Sequence, residues 1–125
     1  MGHMNDHNII ITPEVIQQLS ALHSEPKFQA EGMYPGAPNE DIRVKSERTV
    51  NAMLEGLQAE LSKSPQKSYV IAQFLEMLKS FEDEDTEERE QACGYCERVM
   101  DILHIESSDG LLNKWLYGFD PEDAA

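Results

Sequence analysis

The sequence predicts an all-α fold, a compact bundle of four main helices with a short fifth helix at the C-terminal end. Apolar residues recur at three- and four-residue spacing in four separate stretches, and each stretch opens on its own helix-start signal. Ile9-Ile10-Ile11 could form a strand, but no partner strand follows anywhere in the chain, so it reads as an extended lead-in. At 125 residues the chain can bury a continuous core without staples, and residues 5–125 read as one helical domain. Residues 1–4, Met1-Gly2-His3-Met4, read as a vector remnant.

The first helix is expected from Thr12, which can cap, and Pro13, which suits the first helical position, to about His23. Val15, Ile16, Leu19 and Leu22 form its apolar face, and Ile11 can staple onto Ile16. From Ser24 to Asn39 the chain carries Pro26, Gly32, Pro35, Gly36 and Pro38, so it must be a loop, and Phe28, Met33 and Tyr34 predict that it is pinned to the body. A long second helix follows from Glu40 to Ser62, with Val50, Met53, Leu54, Leu57 and Leu61 on one stripe. Ser64-Pro65 restarts the chain into a third helix carrying Val70, Phe74, Leu75, Leu78 and Phe81. Asp85 with Glu88 resembles a capping box for a fourth helix that buries Ala92, Cys96, Val99 and Leu103. After the turn Ser107-Ser108-Asp109-Gly110, a fifth helix runs from Leu111 to Tyr117. Gly118 is its expected left-handed terminator, Phe119 can fold back, and Pro121 prevents continuation.

Charge limits the partners. Against 24 acidic residues stand only 10 basic ones, a net charge of -14, and the scattered bases cannot displace counterions from a nucleic acid. A basic protein surface is the natural complement. With 27% charged residues nothing in the chain is expected to span a membrane. Two cysteines without an export signal read as reduced thiols in the cytoplasm. Seven acids crowd between Glu82 and Glu90, and three more lie between Asp120 and Ala125. The first run is either a solvated helix entrance or a partner-binding surface built on Asp83, Glu84, Asp85, Glu87 and Glu88.

Cys93-Gly94-Tyr95-Cys96 has the spacing of a redox or metal motif, but carboxylates rather than a strand precede it, and negative charge raises a thiol pKa. His3, His7, His23 and His104 complete no zinc set, and a calcium loop counted from Asp83 lacks its Gly and Glu. No catalytic residue, cofactor or metal ligand is therefore expected. Both cysteines are expected on the core side of the fourth helix, and Gly94 suggests a neighbour packed closely against it.

Two aromatic stretches join apolar bulk to residues that fix the backbone: Met33-Tyr34-Pro35-Gly36-Ala37-Pro38 and Trp115-Leu116-Tyr117-Gly118-Phe119-Asp120-Pro121. Either both anchor loops to the core, or they line a shared groove in which Tyr34 and Tyr117 join Arg48 and Asn51, one helical turn apart. Trp115 should be substantially buried. These stretches, with the arginine-bearing helix leading to Asn51, resemble an uncharacterised bacterial family of small helical proteins, a domain of unknown function, over residues 12 to 121. The resemblance implies a bacterial source and a helical fold and brings no activity. The expected function is an acidic protein-binding module, such as an immunity or inhibitor protein for a basic toxin or effector, acting as monomer or dimer. A secretion chaperone or adaptor, and a thiol redox protein using Cys93 and Cys96, are the alternatives.

Overall fold

The computed structural model describes residues 8–118. Five α-helices follow in order: α1 Pro13–Ser24, α2 Glu40–Glu60, α3 Lys67–Leu78, α4 Thr86–Leu103 and α5 Leu111–Tyr117, with a short 3-10 turn at Lys79–Phe81. Among the described residues there is no strand. The expectation of four main helices and a short C-terminal one is met.

The four long helices form a ring: α1 packs on α2 and α4, and α3 packs on the same two, while α5 lies on α4. Their facing stripes make one core in which Leu19, Val50, Leu54, Leu57, Leu61, Val70, Phe74, Leu78, Ala92, Cys96 and Val99 have no exposed surface. These residues come from the apolar stripes read in the sequence.

The helix starts explain themselves locally. Thr12 Oγ1 accepts the Val15 N–H at 3.1 Å, with Pro13 at the first helical position. Asn39 Oδ1 accepts the Ile42 N–H at 2.9 Å and opens α2. The third helix begins later than Ser64-Pro65 suggested. Gln66 N–H bonds back to Ser64 C=O at 2.8 Å, while Pro65 C=O accepts Ile9 N–H at 2.6 Å, so this segment makes a tight turn that docks the lead-in. Asn8, just before the lead-in, and Gln66 form an isolated antiparallel bridge there, and no partner strand is present among the described residues, as expected.

Two further expectations are corrected. Asp85 has the extended backbone of a cap, but its side chain makes no cap bond, and Glu88 turns inward rather than completing a capping box. A Cβ placed on Gly94 would meet nothing within 4 Å, so no neighbour packs against it. The fourth helix ends on His104 in the left-handed region (φ 59°), where Ile105 N–H reaches back to Met100 C=O at 2.8 Å. Gly118 (φ 83°) ends α5 as expected. Phe119 and Pro121 lie outside the described residues.

Candidate functional site at the entrance of the fourth helix

The loop between α1 and α2 is held from both sides. Phe28 adopts φ 61°, a conformation costly for a bulky residue. It is fixed there because its N–H donates to Tyr95 Oη at 3.1 Å and its C=O accepts Ala37 N–H at 3.2 Å. Its ring stacks on Phe81, with centroids 5.6 Å apart, and meets Tyr95 at 5.3 Å. One residue earlier, Lys27 is fully buried, and its Nζ donates to the carbonyls of Leu22, His23 and Glu25 at the end of α1. A cation at a helix C-terminus satisfies orphan carbonyls and meets the negative end of the dipole. Burial nevertheless pulls the Lys27 pKa below its ordinary value, with Glu47 and Glu25 opposing that shift. Glu47 Oε2 takes the Lys27 backbone N–H at 2.9 Å, and Arg43, gripped by Glu40 through two bonds of 2.8 Å, reaches the Lys27 carbonyl at 3.4 Å.

Further along, Tyr34 lies inside the protein and its hydroxyl donates to Glu88 Oε2 at 2.8 Å. Burial first, then the Glu88 carboxylate, pushes the Tyr34 pKa far above the usual tyrosine value. Glu88 is 1% exposed, so of the acidic run it is the member withdrawn from solvent. The next residue, Arg89, points to the other chain end. Its Nη2 donates to the carbonyls of Trp115 and Leu116 at 3.4 and 3.3 Å, and its guanidinium lies 5.1 Å from the Trp115 ring centroid. Two consecutive residues in the first turn of α4 thus tie the loop and α5 to the same end of the bundle.

The residues singled out in the sequence divide accordingly. Tyr34 and Glu88 meet in the interior, Tyr117 is 54% exposed at the end of α5, and Asp83, Asp85 and Glu87 are exposed beside them in sequence. Glu84 is half-buried and approaches Lys45 of α2 at 4.0 Å. Arg48 is exposed and lines a shallow cleft of about 500 Å³ between α2 and α3, with Met53, Gln73 and Met77. Asn51 lies on the neighbouring stripe with Glu47 and Glu55, which bond to Lys27 and His23, and its Oδ1 is buried without a hydrogen bond. Trp115 packs against the core with most of its surface covered, as expected, and Leu112 is the α5 residue wholly withdrawn from solvent. Met33 is fully exposed rather than pinned.

Cys93 and Cys96 are both buried free thiols. Burial, reinforced by Glu97, pushes Cys93 up to about 12, and burial raises Cys96 as well. Among the described residues no group of three or more His, Cys, Asp or Glu side chains could hold a metal ion. No described helix is long and apolar enough to cross a membrane.

Sequence reasoning missed Lys27, Arg43 and Glu47, and also Arg98, which grips Glu25 through two bonds of 2.5 and 2.8 Å. A lysine just beyond a helix end was the available signal for the first of them.

What the fold and this end define is a small acidic helical domain organised around a locked loop. The chain belongs to a family described as a domain of unknown function, DUF4844, whose model matches residues 10–120. It is similar to the crystal structure of a DUF3571 family protein from Acinetobacter baumannii AYE, with 32% sequence identity over 83% of this chain and 89% of that one and a TM-score of 0.74. No curated protein matches the chain. The family agrees with the resemblance carried by the two aromatic stretches.

Proposed function

We propose that this chain is an acidic, cytoplasmic protein-binding module that engages a basic protein through the entrance of α4, as an immunity or inhibitor protein would engage a toxin or effector. The observation that supports this reading most is that the first turn of α4 holds both the locked loop, through Glu88, and α5, through Arg89, directly after the exposed carboxylates of Asp83 and Asp85 and beside that of Glu87 in the sequence. A rigid surface of one sign steers and orients an oppositely charged partner without needing to rearrange. Glu88 and Tyr34 act in this reading as the frame beneath the surface rather than as contacts. Arg48, in the cleft between α2 and α3, and Asn51, on another stripe of α2, have no assigned contact in this reading.

The test is a pull-down from the source organism with identification of captured proteins by mass spectrometry, followed by kinetics on the purified pair. The association rate should fall as salt rises, because exposed charges are screened over about 8 Å at physiological ionic strength. Neutralising Asp83, Glu84, Asp85 and Glu87 together, with Glu88 left in place, should slow association further, and Tyr117→Ala should weaken the complex. Association indifferent to both salt and these substitutions would count decisively against the reading.

A further inference from the structure

We propose that Met33 is the apolar anchor of this surface, a knob that enters an apolar pocket of the partner while the neighbouring carboxylates meet basic residues at the pocket's rim. The inference rests on the protein-binding reading above and deepens it by naming the chemistry of the partner's contact.

Met33 is 101% exposed, whereas Met53, Met77 and Met100 are 5 to 6% exposed in the core. It stands at the tip of a two-residue hairpin. Glu31 N–H donates to Tyr34 C=O at 3.0 Å and Tyr34 N–H to Glu31 C=O at 2.9 Å. Gly32 at φ 58° supplies the left-handed residue that so tight a turn requires. The hairpin's root is locked: Tyr34 is buried on Glu88, and Gly36 at φ 91° passes so near Ala30 that a Cβ would meet its backbone nitrogen at 3.1 Å. The backbone is therefore fixed while the side chain touches only solvent. A preorganised knob loses little backbone entropy when it docks, and a thioether chain adapts to pockets of irregular shape.

Charge selects the partner. Glu31 within the hairpin is exposed, and the bond from Tyr34 to Glu88 joins the hairpin to the first turn of α4, where the next residue back, Glu87, is exposed. The knob thus shares its hairpin with an exposed carboxylate on a chain of net charge -14, and a pocket with acidic walls would be repelled. This leaves an apolar pocket with a lysine- or arginine-bearing rim.

The experiment places a diazirine amino acid at position 33, at position 85 in the acidic turn, or at position 10 as a control, since Ile10 is also highly exposed but lies on the lead-in docked at Pro65. Each full-length variant is irradiated in lysate of the source organism. Positions 33 and 85 should label the same basic protein, identified by mass spectrometry, and position 10 should not. On the purified pair, Met33→Ala should raise the dissociation rate about thirtyfold, the scale of an interface hot spot, with the association rate nearly unchanged. Met33→Leu should largely restore binding, and neither variant should shift the melting temperature. Labelling of a basic protein from position 85 alone, or a dissociation rate insensitive to Met33→Ala, would overturn the anchor and leave the module reading standing. Labelling of an acidic protein from position 33 would overturn the rim chemistry. Labelling from neither position would remove the module reading together with the anchor.

Discussion

Tyr34 and Glu88 lie 54 residues apart in the chain, and the hydroxyl of one donates to the carboxylate of the other across 2.8 Å in the interior. The bond fastens the loop to the first turn of α4, and it leaves Glu88 with a partner that water cannot replace. Tyr34→Phe should therefore destabilise the protein by about 1 to 3 kcal/mol in urea unfolding, the cost of a buried polar group left unpaired. Combined with Glu88→Gln in a double-mutant cycle, the losses should be clearly non-additive. Additive losses would mean that the two groups stabilise the fold separately.

Lys27 should be as sensitive. Lys27→Met keeps the apolar stem and removes the ammonium, which strips the carbonyls of Leu22, His23 and Glu25 of a shared donor. A loss of about 3 kcal/mol is expected, and hydrogen exchange should quicken at the end of α1 before it changes in α3. An unchanged urea midpoint would show that the ammonium does not hold that helix end.

Gly56 and Gly94 sit inside α2 and α4 with open space where a Cβ would go. Gly56→Ala and Gly94→Ala should each stabilise the fold by about 1 kcal/mol, because alanine loses less backbone entropy in a helix, and the gains should add. A loss at position 94 would point to packing demands that this geometry does not contain.

The buried thiols and tyrosines predict an alkaline limit. Cys93, Cys96, Tyr34 and Tyr95 all have pKa values raised first by burial, so the folded state keeps protons that the unfolded chain releases from about pH 9 upward. Where the folded state binds more protons, unfolding free energy falls with rising pH, so the stability these groups contribute is complete below pH 9 and declines above it. Lys27, shifted the opposite way, opposes the trend as a single group. The melting temperature should fall steadily between pH 9 and pH 11. At pH 8 a thiol reagent should label native protein slowly and denatured protein at once, and rapid native labelling would revive the thiol redox alternative.

The partial exposure of Trp115 sets a further contrast. Its ring packs on the edge of the core and meets the Arg89 guanidinium, so Trp115→Ala should cost about 2 kcal/mol, below the roughly 3 to 5 kcal/mol expected for Phe74→Ala at a fully buried position. Tyr117→Ala, at a more exposed site, should leave thermal stability close to normal.

The sequence by itself determined the helices and their apolar faces, because both depend on interactions within about four residues. Thr12-Pro13, the Val50 to Leu61 stripe and Gly118 behave as local physics requires. Tertiary structure alone decided which polar residues go inside. Four-residue spacing puts Glu88 on the stripe of Ala92, Cys96 and Val99 and leaves Glu87 off it, but only the arrival of Tyr34 gives a carboxylate on that face a buried partner. In the same way Phe28 is enclosed and Met33 projected from one loop, because the loop's path is set by Tyr95, Phe81 and Glu47 from distant segments. Burial of a charge or a hydroxyl is favourable only when a partner of matching chemistry arrives from elsewhere in the chain, and that arrival is a property of the assembled bundle.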